Sequence, residues 1–107
     1  MRSDLLRGHL DRLLLAVLTE EPGHGYALSQ RLDERSGGTF GVPEGSLYPA
    51  LQRLERADLV TSTWNIVDGR RRRVYQLTPA GRDARSESAE EWRRFSGAVD
   101  RVIAGLA

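Results

Sequence analysis

Gly45-Ser46-Leu47-Tyr48-Pro49-Ala50-Leu51-Gln52-Arg53-Leu54-Glu55 is the stretch that decides the reading of this chain. At about 100° per residue, Ala50, Leu51 and Leu54 fall on the side of Leu47, whereas Gly45, Pro49, Gln52 and Arg56 point the other way. One face therefore belongs to a core, and the other is slim with hydrogen-bonding and cationic tips. Gly45 and the compact Pro49 leave room for close approach to a groove wall, and the Gln52 amide has the geometry to pair with an adenine edge. Because proline is tolerated in the first turn, Pro49 places the helix start near Pro43 or Glu44, and the pattern carries it to about Ala57.

Downstream, Leu59 leads into two short runs, Val60, Trp64 and Ile66, then Val74, Tyr75 and Leu77. They flank Asp68-Gly69, a dipeptide that favours a tight hairpin because both residues tolerate positive φ. Arg70, Arg71, Arg72 and Arg73 form the only dense basic run, read as lying at the base of this hairpin on its returning strand. Successive side chains there alternate between faces, so the four cannot share one surface, and Arg70 and Arg71 are best placed to reach outward. Thr78-Pro79 reads as N-cap and first residue of a final helix running to about Gly105. Its second half carries Trp92, Phe95, Val99, Val102 and Leu106 at spacings of three, four, three and four, an a/d seam. About two heptads do not make an autonomous coiled coil, so this seam must be completed by another element or subunit.

Upstream, Leu6, Leu10, Leu13, Leu14 and Val17 mark one face of a first helix from about Ser3 to Glu20, with Ser3 as N-cap. Leu5, Leu15 and Leu18 widen the stripe, which implies burial on two sides. Glu21-Pro22-Gly23 ends it, and a second helix spans about Gly25 to Arg35 before the Gly37-Gly38-Thr39 loop. The fold class expected is mainly α with a small β-hairpin: a winged helix-turn-helix over 1–78 and a long C-terminal helix over 79–107.

With 107 residues the chain allows one domain with a modest core. The formal net charge of +1 does not by itself imply nucleic acid, and all 16 basic residues are arginine, which reads as codon bias in a GC-rich genome. Cysteine is absent, excluding disulfides, thiolate metal sites and cysteine nucleophiles. No apolar run nears the ~20 residues of a membrane span, and no signal peptide is evident, so a cytoplasmic protein is expected. His9 and His24 have no carboxylate or cysteine at metal-ligand spacing, and Ser86 and Ser88 lack a base. Neither an enzyme nor a cofactor is expected.

These residues resemble the PadR family of bacterial transcriptional regulators, in its short type with a single C-terminal helix. The likeness runs from about Leu13 to Trp92. It is carried by His24-Gly25-Tyr26, by Gly45-Ser46-Leu47-Tyr48-Pro49-Ala50-Leu51 with Arg53-Leu54-Glu55, by Tyr75-Gln76-Leu77-Thr78 with Gly81, and by Trp92. The resemblance implies a dimeric repressor whose C-terminal helices pair with each other and with the partner's N-terminal helix. Two positions depart from it: Pro43 replaces a capping hydroxyl, and Asp58 stands where glycine is usual, although Asp tolerates the left-handed conformation.

The candidate DNA contacts are Gly45, Ser46, Tyr48, Pro49, Gln52, Arg53 and Arg56 on the helix, and Arg70, Arg71 and Arg72 on the wing. Tyr48 and Ser46 suit a phosphate at a helix start, and Tyr48 equally suits a packing role. For the helix polar residues the competing reading is a solvated face, and for the arginine run edge-strand protection. Leu6, Leu10, Trp92, Phe95, Val99, Val102 and Leu106 are the candidate dimer interface. Trp92 is open to two readings, an interface anchor or a platform for a small aromatic effector. The function expected is a homodimeric repressor binding a double-stranded, pseudo-palindromic operator and relieved by a small molecule or other signal. The alternative is a winged-helix protein-interaction module without specific DNA binding.

Overall fold

A computed structural model describes residues 3–105, with side chains from Leu5 onward. The elements in order are α1 (Ser3–Arg7), α2 (Leu10–Leu18), β1 (Gly23–His24), α3 (Gly25–Arg35), α4 (Glu44–Arg56), β2 (Val60–Val67), β3 (Arg70–Leu77) and α5 (Pro79–Gly105). The fold is mainly helical, with a small antiparallel sheet and a long C-terminal helix, as the sequence pattern predicts. Its extents of 54 × 28 × 21 Å reflect α5 running beyond the rest.

The core gathers one stripe from each helix. Leu14 of α2, Leu28 of α3, Leu47 and Leu51 of α4, and Val60 of β2 are its largest fully buried side chains. Burying a side chain of this size stabilises by roughly 1.5–3 kcal/mol, which is why these short helices persist although isolated ones would not. α4 begins at Glu44 as expected, yet Pro49 is its sixth residue, beyond the first turn. The amide that would bond the Gly45 carbonyl is thereby lost, and the exposed position of both residues lets water replace it. Pro43 supplies no side-chain cap, but its carbonyl accepts the Ser46 amide at 3.0 Å.

Two expectations require correction. The single N-terminal helix is broken: Gly8 and His9 form a turn between α1 and α2, with the His9 amide bonded to Leu6 O at 2.9 Å. Glycine lowers helix stability by about 1 kcal/mol, enough to reorient the chain where tertiary packing favours it. In addition, Gly23 and His24 are not merely a break but a two-residue strand. They pair with Tyr75 and Val74, giving a three-stranded sheet of order β1-β3-β2. Arg31 holds this segment in place, donating to the carbonyls of Glu21 and Pro22, each at 2.8 Å. The Ser3 cap and Leu106 lie outside the described side chains.

The hairpin is as its sequence predicts. Val67 pairs with Arg70, and Asp68 and Gly69 both take positive φ, 52° and 75°, as a two-residue turn demands. Asp58 also adopts positive φ, 60°, at the exit of α4. Thr78 caps α5, its Oγ1 accepting the Gly81 amide at 3.0 Å while donating to Asp58 O at 2.6 Å. Gly81 is buried there, and a Cβ would collide with the Leu59 carbonyl oxygen, so only glycine lets α5 leave the sheet so closely.

Candidate nucleic-acid interface

The geometry of α4 divides its polar residues into an outward face and two flanks. Gly45, Pro49, Gln52 and Arg56 are exposed on the outward face, opposite buried Leu47 and Leu51. Ser46 and Arg53 lie on the flank toward α2, where the Arg53 guanidinium donates to Asp11 Oδ1 at 2.8 Å. Both partners of that pair are about half exposed, so it orients Arg53 without withdrawing it from solvent.

The other flank faces the hairpin. Tyr48 donates to Glu44 Oε1 at 2.6 Å, and a guanidinium nitrogen of Arg72 lies 3.6 Å from the same oxygen. The hydrogen bond to Glu44, aided by burial, pushes the Tyr48 phenol up to about 12. Gly25 makes room for this pair, since a Cβ there would come within 2.9 Å of the Tyr48 oxygen. Further along, Arg73 Nε donates to Ser62 Oγ at 2.8 Å, and Ser62 Oγ donates to Glu55 Oε2 at 2.6 Å. Burial lowers the His24 imidazole below its ordinary range, with Arg72 adding to the effect, so this ring beside the sheet stays neutral near pH 7.

The arginine run begins directly after the turn, at the tip of the hairpin and not at its base. Arg70 and Arg71 are exposed there, and no acidic partner is found for either among the described residues. Arg71 lies over the Trp64 ring at 4.6 Å and Arg73 at 5.3 Å, a stack that orients cationic side chains along one face of the wing. Arg72, grouped in sequence with the wing-tip contacts, is turned toward Glu44.

A second set of residues gathers on the opposite side, between α1, α2 and α5. Trp92 packs edge-on to His9 at 5.3 Å and beside Phe95 at 5.8 Å, with the Arg12 guanidinium 5.4 Å from its ring. An apolar cleft of about 440 Å³ opens here, lined by Leu5, Leu13, Phe40 and Trp92 among others. His9 Nδ1 and one terminal nitrogen of Arg12 are buried without a hydrogen-bond partner among the described residues. Of the candidate interface residues, Trp92, Phe95 and Val102 are exposed, Val99 and Leu6 are half-buried, and Leu10 lies in the head's own core at 7% exposure. Sequence reasoning passed over Ile103, exposed beside Val102, and over Glu44, Glu55 and Ser62. Glu44 and Glu55, eleven residues apart, share a helix flank by simple periodicity, a signal that was available.

Among the described residues no helix is long and apolar enough to cross a membrane. The family model described as the transcriptional regulator PadR-like family matches residues 14–87. The chain is 34% identical to an uncharacterised protein of Lysinibacillus sphaericus over 99% of this chain and 98% of that one. It is 48% identical, over 60% of its own length and 57% of the other, to a transcriptional regulator of Mycobacterium tuberculosis. Among solved structures it is similar to a transcriptional regulator of Clostridium thermocellum, with a TM-score of 0.82 and 28% identity over 94% and 96% of the two chains. A PadR-like transcriptional regulator of Bacillus cereus gives a TM-score of 0.78 and 29% identity over the same shares.

Proposed function

The chain belongs to the PadR-like family of transcriptional regulators, and from that premise we propose that it is a homodimeric repressor of a pseudo-palindromic operator, released by a small molecule or other signal. DNA binding and transcriptional regulation come with the family. The observation that supports reading of a groove by α4 is its outward face, Gly45, Pro49, Gln52 and Arg56, left open between two flanks that are both tied to other elements. A helix held in this way enters a major groove with its slim side first, Gln52 and Arg56 reading base edges and Ser46, Tyr48 and Arg53 on the adjacent backbone. Arg70 and Arg71 at the wing tip lie along phosphates or in the neighbouring minor groove.

The exposed Trp92, Phe95, Val102 and Ile103 on α5 support pairing with a second copy, in which residues 79–107 act as the dimerisation part and residues 1–78 as the reading part. Two reading helices about one helical turn (~34 Å) apart then match a two-fold operator. The apolar cleft at Trp92 supports a flat aromatic effector, which acts only by binding one spacing of the two heads more tightly than the other.

A footprint of the purified protein on its own upstream DNA, with the solution mass measured alongside, tests the proposal. A protected palindrome bound by a dimer is the expected result. A stable monomer, or no protection at low salt, overturns it in favour of a protein-interaction module.

A further inference from the structure

We propose that Glu55 is a positioning residue for DNA binding, acting through Ser62 and Arg73 to fix the angle of the wing against α4. The inference rests on the DNA-binding reading above and adds a role for carboxylates within it. Glu44 and Glu55 sit on the recognition helix, where a negative charge repels phosphate. Each is instead occupied by an arginine of the wing. Arg72 reaches Glu44 at 3.6 Å, and Arg73 reaches Glu55 both directly, at 3.8 Å, and through Ser62 by hydrogen bonds of 2.8 and 2.6 Å.

Two ties make a bracket where one would make a pivot. Glu44 stands at the start of α4 and Glu55 near its end, separated by roughly 16 Å along the axis. The hairpin needs such bracing, because only its base is packed: Val60, Tyr75 and Leu77 are buried, while Trp64 is 52% and Ile66 72% exposed. A two-stranded ribbon projecting from its sheet has little rigidity of its own. The same arginine that reaches Ser62 also lies against Trp64, on whose ring Arg71 rests, so the bracket continues to the tip. The four arginines thus divide their work: Arg72 and Arg73 hold the wing, and Arg70 and Arg71 extend from it.

The ordering of variants separates positioning from charge. Glu55→Ala and Glu55→Gln remove the same negative charge, so electrostatics alone tightens DNA binding equally in both. The bracket gives a different order, since glutamine retains an oxygen to accept the Ser62 hydroxyl and alanine does not. The experiment is a titration by fluorescence anisotropy, in full-length protein, of a labelled duplex that the wild-type chain has selected from a random pool, at several salt concentrations. Losing one phosphate contact flattens the log–log salt slope by about 0.9, which at ~0.15 M salt is about a fivefold loss of affinity per wing. Glu55→Ala and Ser62→Ala are expected to show that loss, and Glu55→Gln to bind within about twofold of wild type. Alanine is as good a helix former as glutamate, and unchanged thermal unfolding of Glu55→Ala verifies an intact head. The proposal is overturned if Glu55→Ala binds as tightly as wild type or tighter, or if Glu55→Gln falls as far as Glu55→Ala. A wild-type chain that selects no duplex sinks the DNA-binding reading and this inference with it; normal selection with an unmoved Glu55→Ala sinks the bracket alone.

Discussion

In the winged-helix head, fifteen side chains from Leu10 to Leu77 are buried in one cluster, whereas along the 27 residues of α5 only Gly81 is buried. The head's polar groups near α4 are matched as well: Arg53 to Asp11, Arg72 to Glu44, Ser62 to Glu55. The α5 side is less complete. Trp92, Phe95, Val102 and Ile103 are 41–64% exposed, and His9 and Arg12 each bury a nitrogen without a partner among the described residues, although another nitrogen of Arg12 lies 3.6 Å from Glu91. A burial deficit and a hydrogen-bonding deficit in one place mark surface that a single chain leaves unfinished. The exposed stripe of α5 is the surface that the proposed second copy would cover.

The strongest challenge to this contrast is truncation in the head. Leu51→Ala, at a fully buried site, should cost about 2–5 kcal/mol in chemical denaturation and reduce DNA binding and assembly together. A cost that vanished with rising protein concentration would show that the head is not self-sufficient. Phe95→Ala should behave in the opposite way. It should weaken self-association by ~2 kcal/mol, about thirtyfold in dissociation constant by analytical ultracentrifugation, while the head's far-UV circular dichroism stays unchanged. An unaltered association constant would remove α5 from the interface.

Smaller effects sharpen the comparison inside the head. Arg70→Ala should leave stability untouched, lower DNA affinity by about 1 kcal/mol across all sequences, and flatten the salt slope by about one. Sequence-selective loss instead would mean that the wing tip reads bases. The smallest effect concerns pH. The Tyr48 phenol is held at about 12 by its hydrogen bond to Glu44, above its ordinary value near 10. Its contribution is therefore fully present below about pH 10 and is lost as pH rises toward 12. Tyr48→Phe should remove that alkaline step from a stability-versus-pH curve, and a step of unchanged size would assign it to another group.

Legibility from sequence followed the range of the interaction. The α4 stripe, the Asp68-Gly69 turn, the left-handed Asp58 and the Thr78-Pro79 start of α5 depend on neighbours within a few residues, and each was readable. The break at Gly8-His9 was not, because Leu6, Leu10 and Leu13 keep helical spacing across it and a single glycine is a weak signal. β1 escaped because two residues carry no period; it exists by pairing with Val74 and Tyr75, some fifty positions away. The same held for the candidate interface. Which residues of α4 face outward followed from periodicity, but the engagement of Arg72 and Arg73 by carboxylates of the same helix arises only when strand and helix are brought together. Leu10 shows the complementary case, a residue on the expected stripe that packs inward and not outward.

The buried Gly81 has a mechanical consequence. α5 is seated at one end against the Leu59 carbonyl and is steadied again where Trp92 meets His9, and from there it runs about 20 Å further to Gly105. It is a cantilever with its clamp in the head. Tilting it by ~5° at the clamp would carry the far end of a helix ~40 Å long through ~3.5 Å, close to the rise of one DNA base pair. A displacement of about 1.4 Å where Trp92 meets His9 is thus amplified at the tip to one that matters on the scale of a groove.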